Sequence, residues 1–219
     1  MFNPFLIITL LFAILEWIAV ARAWKKVEYF AKPATMLAML VWFWFSAGFA
    51  GTLRWFALSI FLSLLGDALL LHPRLFIPGL VAFLVAHSAY ILGFNSPPPV
   101  INSYLIFMTA AIGVLAWRLY RRLALSLKTQ PTATRWGVAI YSLVITLMLL
   151  SAFLTLLRTD WLPSASLLVS LGALLFLTSD VLLAWVWFVA PIRHGRIIVM
   201  VTYHLGQLLL VAGAMLQYG

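Results

Sequence analysis

The chain has 219 residues, of which 65% are hydrophobic and 9% charged, and it contains no cysteine. Such a composition excludes a soluble globular domain, and the missing cysteines exclude disulfides, a thiol nucleophile and a cysteine metal site. The net charge of +9 comes from residues at the ends of apolar runs, where they set orientation and contact lipid headgroups. We therefore expect one transmembrane domain over residues 1–219 in a lipid bilayer, with no nucleic-acid partner.

Eight apolar runs are long enough to cross a bilayer, which takes roughly 20 residues at about 1.5 Å each. They predict an all-α polytopic membrane protein with spans near 4–22, 33–50, 53–71, 75–94, 100–120, 136–157, 163–188 and 196–217. Pro33 and Pro163 suit the first turn of a helix. We interpret the first run as a retained span rather than a signal peptide, because no basic residue precedes it and Glu16 interrupts it.

The basic residues predict the orientation of the spans. Twelve of the 14 Lys and Arg residues follow the first, third, fifth and seventh spans, and only Arg54 and Arg158 lie on the opposite side. By the positive-inside rule this bias places those four loops in the cytoplasm and both termini outside. The longest of the loops, from Arg118 to Arg135, is expected to form an interfacial amphipathic turn. The expected location is the bacterial inner (plasma) membrane.

Two aspartates interrupt the apolar runs, Asp67 in the third span and Asp180 in the seventh. Each is followed by a histidine in the next span, His87 and His204 respectively. An ionised side chain at mid-bilayer costs roughly 2.5–3.5 kcal/mol on insertion scales, so such residues usually serve a function. Because the aspartate and the histidine recur in the same order, we also predict a weak parallel repeat of four helices plus four.

These ionisable residues lie at related depths. At about 1.5 Å per residue, Asp67 lies roughly 7 Å, Asp180 and His204 roughly 12 Å, and His87 roughly 18 Å from the cytoplasmic ends of their spans. This shared depth predicts one cavity that opens toward the cytoplasmic leaflet. Further polar side chains accompany them at helical spacing or next to them in the chain, namely Ser63, Tyr90, Tyr203 and Gln207.

Simpler roles fit the same residues. Glu16 and Lys32 could snorkel to the interface or pair with each other. His87 or His204 could be a hydrogen-bonded core histidine, and the two aspartates could serve only to join helices. Two carboxyl groups inside a membrane domain are unusual for that last purpose, so we favour a functional site.

Several short motifs, in this order and spacing, resemble those of one family of membrane proteins. They are Lys32-Pro33, Gly66-Asp67, the segment GLVAFLVAHSAY at 79–90, Ser179-Asp180-x-x-Leu183-Ala184, and Tyr203. Together they resemble the lysoplasmalogenase family, also called the YhhN-like proteins, over nearly the whole chain and with the same plan of eight spans. One departure is His204, a position where the family often has tyrosine.

The resemblance implies hydrolysis of the vinyl ether bond of a lysophospholipid substrate, a lysoplasmalogen, to a fatty aldehyde and a glycerophospho-ethanolamine or -choline. It implies no metal or other cofactor. Vinyl ether hydrolysis protonates the distal alkene carbon and passes through an oxocarbenium ion, which glycosidases handle with two carboxyl groups. We therefore assign Asp67 and Asp180 as the catalytic pair, with Asp180 favoured as the acid and Asp67 as the ionised partner.

The remaining candidate residues receive supporting roles. His87 would orient a carboxyl group or relay a proton, and Lys32 would bind the substrate phosphate as a point charge. The other expected substrate-binding residues are Tyr90, Tyr203, Ser63 and His204.

Three other classes of protein remain open at this point. A metal-dependent lipid amidase could bind zinc through His87, His204 and one or two aspartates. A small proton-coupled transporter would also have buried aspartates and repeated halves. A purely structural membrane protein is the third alternative.

Overall fold

The computed structural model describes residues 3–100 and 102–219, and every regular element in that part of the chain is helical. Eight helices are long and apolar enough to cross a membrane, which confirms the predicted all-α polytopic fold. They are α1 (Pro4–Ala21), α2 (Lys25–Ala47), α3 (Leu53–Leu70), α4 (Phe76–Phe94), α5 (Ser103–Ser126), α6 (Thr132–Leu154), α7 (Pro163–Phe188) and α8 (Gly195–Tyr218). Short 3₁₀ turns precede α4 and extend α5 and α6.

The start of α2 was predicted incorrectly. The helix begins at Lys25 rather than near residue 33, so Pro33 lies inside it and not in its first turn. A proline inside a helix removes one backbone hydrogen bond, but the apolar packing of the surrounding residues overrides that local preference. As a result Glu28 and Lys32 lie one turn apart on the same helix, and both are buried.

The segment from Arg118 to Arg135 was also predicted incorrectly. It is helical for most of its length, because α5 continues to Ser126 and a 3₁₀ turn reaches Thr129. Leucine and arginine dominate this stretch, and both favour helix. The next helix starts at Thr132, just after Pro131, rather than near residue 136. The predicted start of the fifth span, near residue 100, borders residue 101, which lies outside the described part of the chain.

Consecutive helices pack against each other within each half of the chain. The pairs α1–α2, α2–α3 and α3–α4 are in contact, as are α5–α6, α6–α7 and α7–α8. The halves meet through α4 and α6 and through contacts of α8 with α1, α2 and α3. The repeat of four helices plus four and the placement of both termini outside the membrane stay predictions.

Two glycines allow α7 and α8 to touch through their backbones. A Cβ added at Gly172 would lie 2.8 Å from the carbonyl oxygen of Gly206, and one added at Gly206 would lie 2.9 Å from the amide nitrogen of Phe176. Neither position has room for a side chain, which is the usual reason for glycine at a membrane helix crossing. The close contact fixes the two helices that carry Asp180 and Tyr203.

The core of the bundle is built without α5. The largest fully buried side chains come from the other helices, with Phe43, Phe56, Tyr90, Phe94 and Phe176 among them. Within the described helix from Ser103 to Ser126, no residue is buried. Helix α5 is therefore a peripheral helix that lies against α6 and α7.

Candidate active site

A cavity lies between the helices of the bundle and is lined by residues of six of them. Both candidate aspartates line it, Asp67 from α3 and Asp180 from α7. Lys32, Tyr141 and Tyr203 supply further polar groups, and the rest of the lining is mainly apolar or aromatic. The structure thus brings the two carboxyl groups to one cavity, hereafter the central cavity.

Asp67 forms an ion pair inside the bundle. The Lys32 Nζ lies 3.2 Å from its Oδ1, and the Tyr203 hydroxyl donates a hydrogen bond of 2.7 Å to its Oδ2. The side chains of Lys32 and Asp67 are only 9% and 2% exposed. Each carboxylate oxygen therefore has its own donor, an arrangement that suits an ionised carboxylate.

Asp180 has a different set of neighbours, none of them a lysine or arginine within ion-pair distance in the described residues. The Tyr141 hydroxyl donates to its Oδ2, and the His87 Nε2 lies 3.6 Å from the same oxygen. The side chain of Asp180 is 14% exposed, which makes it the more accessible of the two carboxyl groups.

The hydrogen bonds assign a tautomer to His87. Its Nε2 lies 2.9 Å from the Tyr141 hydroxyl oxygen. That hydroxyl has a single proton, which it donates in its hydrogen bond to Asp180. Nε2 must therefore carry a proton and donate it to the tyrosine oxygen. Tyr141 then links His87 to Asp180 and holds the carboxyl group in place.

Sequence reasoning missed Tyr141. It lies nine residues into α6, roughly 14 Å along the helix, which is a depth similar to that of Asp180. The predicted start of this helix near residue 136 placed the tyrosine close to the interface, where tyrosines are common. A correct start at Thr132 would have included Tyr141 among the residues at the shared depth.

Tyr90 and Ser63 join through Gln207, on α8. The Tyr90 hydroxyl donates to Gln207 Oε1 at 2.6 Å, and Gln207 Nε2 donates to Ser63 Oγ at 2.9 Å. All three side chains are fully buried, and none is among the described residues that line the central cavity. This chain of hydrogen bonds connects α3, α4 and α8 beside the cavity.

We expect Tyr90→Phe to lower the free energy of unfolding. Turnover of the lysophospholipid substrate that the family resemblance implies should stay nearly unchanged. The variant leaves the Gln207 carbonyl oxygen unsatisfied, which typically costs about 1–3 kcal/mol in a buried site. Thermal or denaturant unfolding in detergent measures the stability, and steady-state kinetics measure turnover. A large loss of turnover in a stably folded Tyr90→Phe protein would instead assign the hydroxyl to substrate binding.

His204 lies in a second polar cluster, with Glu16 and Trp17 of α1. The Trp17 Nε1 donates to His204 Nδ1 at 3.0 Å, so the histidine proton lies on Nε2. That nitrogen faces Glu16 Oε2 at 3.2 Å, and both side chains are fully buried. His87 and His204 thus face different carboxyl groups, and no group of three or more possible His, Asp or Glu metal ligands occurs in residues 3–100 and 102–219.

A second cavity adjoins the central cavity at the end of the bundle where α2 and α8 begin. Lys32 lines both cavities. Lys25, Glu28 and Arg196 line the second cavity, and Arg196 Nη2 contacts Glu28 Oε1 at 2.5 Å. We call this second cavity the polar entrance. Sequence reasoning missed Lys25, Glu28 and Arg196 as site residues, although Glu28 lies one helical turn before Lys32.

The chain matches the model of the YhhN family over residues 27–214. It is 34% identical over 155 residues to lysoplasmalogenase TMEM86B of Sus scrofa, which covers 69% of this chain and 59% of that protein, less than two thirds of its length. It is 30% identical to lysoplasmalogenase TMEM86B of Homo sapiens over 84% of this chain and 72% of the human protein. For the Mus musculus protein of the same name, the identity is 31% over 99% of this chain and 87% of the relative.

No solved structure matches the chain. The family match spans most of the 219 residues and includes both aspartates, Lys32 and the tyrosines that contact them. On this ground the chain belongs to the YhhN family.

Proposed function

We propose that this protein is a membrane hydrolase that cleaves the vinyl ether bond of lysoplasmalogens. The products are a fatty aldehyde and a glycerophospho-ethanolamine or -choline. The relatives from pig, human and mouse carry the name lysoplasmalogenase. The observation that carries the proposal is the presence in one cavity of two carboxyl groups with opposite surroundings, Asp67 beside a lysine and Asp180 beside a tyrosine.

The reaction begins with transfer of a proton to the alkene carbon farther from the ether oxygen. The electron pair of the double bond forms the new C–H bond, and the carbon next to oxygen becomes an oxocarbenium ion. A water molecule adds to that carbon and loses a proton, giving a hemiacetal. The hemiacetal collapses to the aldehyde as its hydroxyl loses a proton and the glycerol oxygen gains one, so that one water is consumed.

Asp180 suits the role of the acid. Tyr141 occupies only its Oδ2, which leaves Oδ1 to carry a proton toward the substrate. No ammonium or guanidinium of the described residues lies within ion-pair distance to hold it ionised. His87 and Tyr141 act as positioning residues that orient the carboxyl group.

Asp67 suits the role of the ionised partner. Its pairing with Lys32 and its hydrogen bond from Tyr203 keep a negative charge in the cavity. That charge stabilises the oxocarbenium ion or accepts a proton from the attacking water, as the second carboxylate does in glycosidases. These steps use protein groups and water alone.

The polar entrance has charged side chains that suit it to bind the phosphate and ammonium groups of the substrate headgroup. Lys25 and Arg196 present cations to a phosphate, while Glu28 presents a carboxylate to the ammonium of ethanolamine or choline. Lys32 lies between the entrance and Asp67, so its charge can act on the phosphate as well as on the carboxylate. We place this entrance at the cytoplasmic leaflet of a bacterial inner (plasma) membrane, because the basic residues concentrate at the same end of the bundle.

Isotope labelling tests the reaction directly. In D₂O, purified protein given lysoplasmenylethanolamine should release aldehyde with one deuterium on the carbon next to the carbonyl, because that carbon receives the acid's proton. In water labelled with ¹⁸O, the glycerophosphoethanolamine should contain no ¹⁸O, because water attacks the alkenyl side. Trapping the aldehyde as it forms, with authentic aldehyde as an exchange control, allows mass spectrometry to detect both results.

Other outcomes would contradict the proposal. Incorporation of ¹⁸O into the glycerophosphoethanolamine would mean that the glycerol C–O bond breaks instead. Release of fatty acid from an ester or amide lipid, without aldehyde from the vinyl ether, would assign the protein to a different class of hydrolase. Folded protein that hydrolyses none of these lipids would favour a carrier.

A further inference from the structure

A third cavity lies on the side of the bundle where α5 packs against α6 and α7. Most of its lining is aliphatic. The residues that α5 contributes run from Ile112 to Leu123, a distance of roughly 17 Å along the helix. We call this cavity the apolar groove.

The apolar groove meets the central cavity at Asp180. Asp180 and Ala184 of α7 line both cavities, whereas Asp67 lines the central cavity but not the groove. The acidic side chain therefore stands at a junction, with aliphatic surface on one side and the polar groups of the central cavity on the other. The central cavity in turn adjoins the polar entrance through Lys32.

We propose that the apolar groove binds the alkenyl chain of the substrate, so that the vinyl ether lies beside Asp180. This inference rests on the proposed function. A vinyl ether joins a hydrocarbon chain to a glycerophosphate, so an enzyme that cleaves it needs an apolar site and a polar site on either side of the reacting carbons. The apolar groove, the junction at Asp180 and, beyond the central cavity, the polar entrance occur in the same order as the chain, the vinyl ether and the glycerophosphate of the substrate.

This placement also agrees with the choice of acid. The carbon that receives the proton is the one on the hydrocarbon side of the vinyl ether. A chain in the groove brings that carbon to Asp180, at the groove's boundary, rather than to Asp67. The carbon that water attacks then lies toward the central cavity, where Asp67 and Lys32 are found.

The groove has a deep end, which gives the inference a measurable consequence. Ile112, Leu149 and Leu177 line it on the side away from the polar entrance, as their positions along α5, α6 and α7 show. A chain that runs from Asp180 toward these residues meets them only if it is long enough. A larger side chain at the deep end should therefore obstruct the binding of substrates with a long alkenyl chain and leave the binding of short-chain substrates unchanged.

Ile112→Trp is the variant that tests this consequence, with Val114→Trp as its matched control. Both residues lie on the peripheral helix α5, but Ile112 lines the groove whereas Val114 does not line it and is 53% exposed. We expect Ile112→Trp to lower kcat/KM for a long-chain lysoplasmenylethanolamine, relative to a short-chain one, by on the order of tenfold or more. Val114→Trp should leave that ratio at the wild-type value.

Photolabelling provides a second readout that does not depend on turnover. The probe is an alkyl ether analogue of the lysophospholipid, which cannot be hydrolysed, with a diazirine at the end of its chain. Mass spectrometry should find its label on peptides that contain Ile112, Leu149 or Leu177, and excess unlabelled analogue should suppress it. Label that spreads over lipid-exposed faces, without suppression, would show contact with bulk lipid only and would overturn the inference.

The outcomes separate the two proposals. If wild-type protein releases aldehyde but the ratio of long-chain to short-chain kcat/KM is the same in Ile112→Trp as in Val114→Trp, the groove is not the chain site and the proposed function stands. If wild-type protein releases no aldehyde, the proposed function fails, and suppressible labelling of the groove would still identify a site for a single-chain lipid. If Ile112→Trp does not fold, the smaller change Ile112→Phe at the same position replaces it.

Discussion

We expect Asp180→Asn to release fatty aldehyde from lysoplasmenylethanolamine about 10²–10⁴-fold more slowly than the wild-type protein, the usual contribution of a general acid. The amide has nearly the same shape and can still accept the hydrogen bond from Tyr141, so the cavity should keep its structure. It cannot supply the proton that forms the new C–H bond. Single-turnover measurement of aldehyde, at saturating substrate, isolates this step from binding.

Asp160→Asn is the matched control for that experiment. Asp160 lies in the loop before α7, where it pairs with Arg158 at 2.5 Å and its side chain is 48% exposed. The hydrogen bonds from Arg158 lower the pKa of the Asp160 carboxyl group, so this group is ionised. It lies outside the central cavity, the polar entrance and the apolar groove. Asp160→Asn should release aldehyde from lysoplasmenylethanolamine at the wild-type rate. Aldehyde release at the wild-type rate by Asp180→Asn would remove Asp180 from the role of acid.

The second large effect concerns the ion pair between Lys32 and Asp67. Lys32→Met leaves a buried carboxylate without its cation, and Asp67→Asn leaves a buried ammonium without its anion. Each single change should lower the free energy of unfolding by about 3–5 kcal/mol, because an uncompensated charge in a buried site is costly. The double variant Lys32→Met/Asp67→Asn removes both charges and should recover most of that loss.

Activity should not recover with stability in the double variant. The Asp67 carboxylate is absent, so the cavity lacks the ionised partner that stabilises the oxocarbenium ion or accepts a proton from the attacking water. Denaturant unfolding in detergent and aldehyde release should be measured on the same preparations. Lys26→Met, on the same helix but exposed, is the control for loss of a lysine. An active double variant would exclude Asp67 from the chemistry, and additive losses of stability would mean that the two charges do not interact.

The spans could be predicted from the sequence because hydropathy and length depend on each segment alone. The same reasoning gave the depth of Asp67 and Asp180, since depth needs only a distance from the end of a helix. The rotation of each helix about its axis could not be predicted, because most of the spans are apolar on every side. Lys32 is an example, since it could have faced Glu16, the lipid phosphate or Asp67, and packing of α2 against α3 selected the aspartate.

Partners on distant helices were the hardest to predict. Tyr141 is 39 residues from Asp180 and Trp17 is 187 residues from His204 in the chain, so neither pair produces a local pattern. Error in a helix boundary had a direct effect in one case, because the late predicted start of α6 hid the depth of Tyr141. The peripheral position of α5 was equally inaccessible, since its apolar run resembles those of the packed helices.

The position of Asp180 at the boundary of two compartments has a consequence for product release. On the proposed reaction, cleavage at this boundary leaves the aldehyde on the hydrocarbon side and the glycerophosphodiester on the polar side. The aldehyde can diffuse sideways into the bilayer, while the charged product departs into water through the polar entrance. The two products leave into different phases and do not meet again at the site, which opposes reversal of the reaction. Each product can then be passed to a different kind of downstream enzyme.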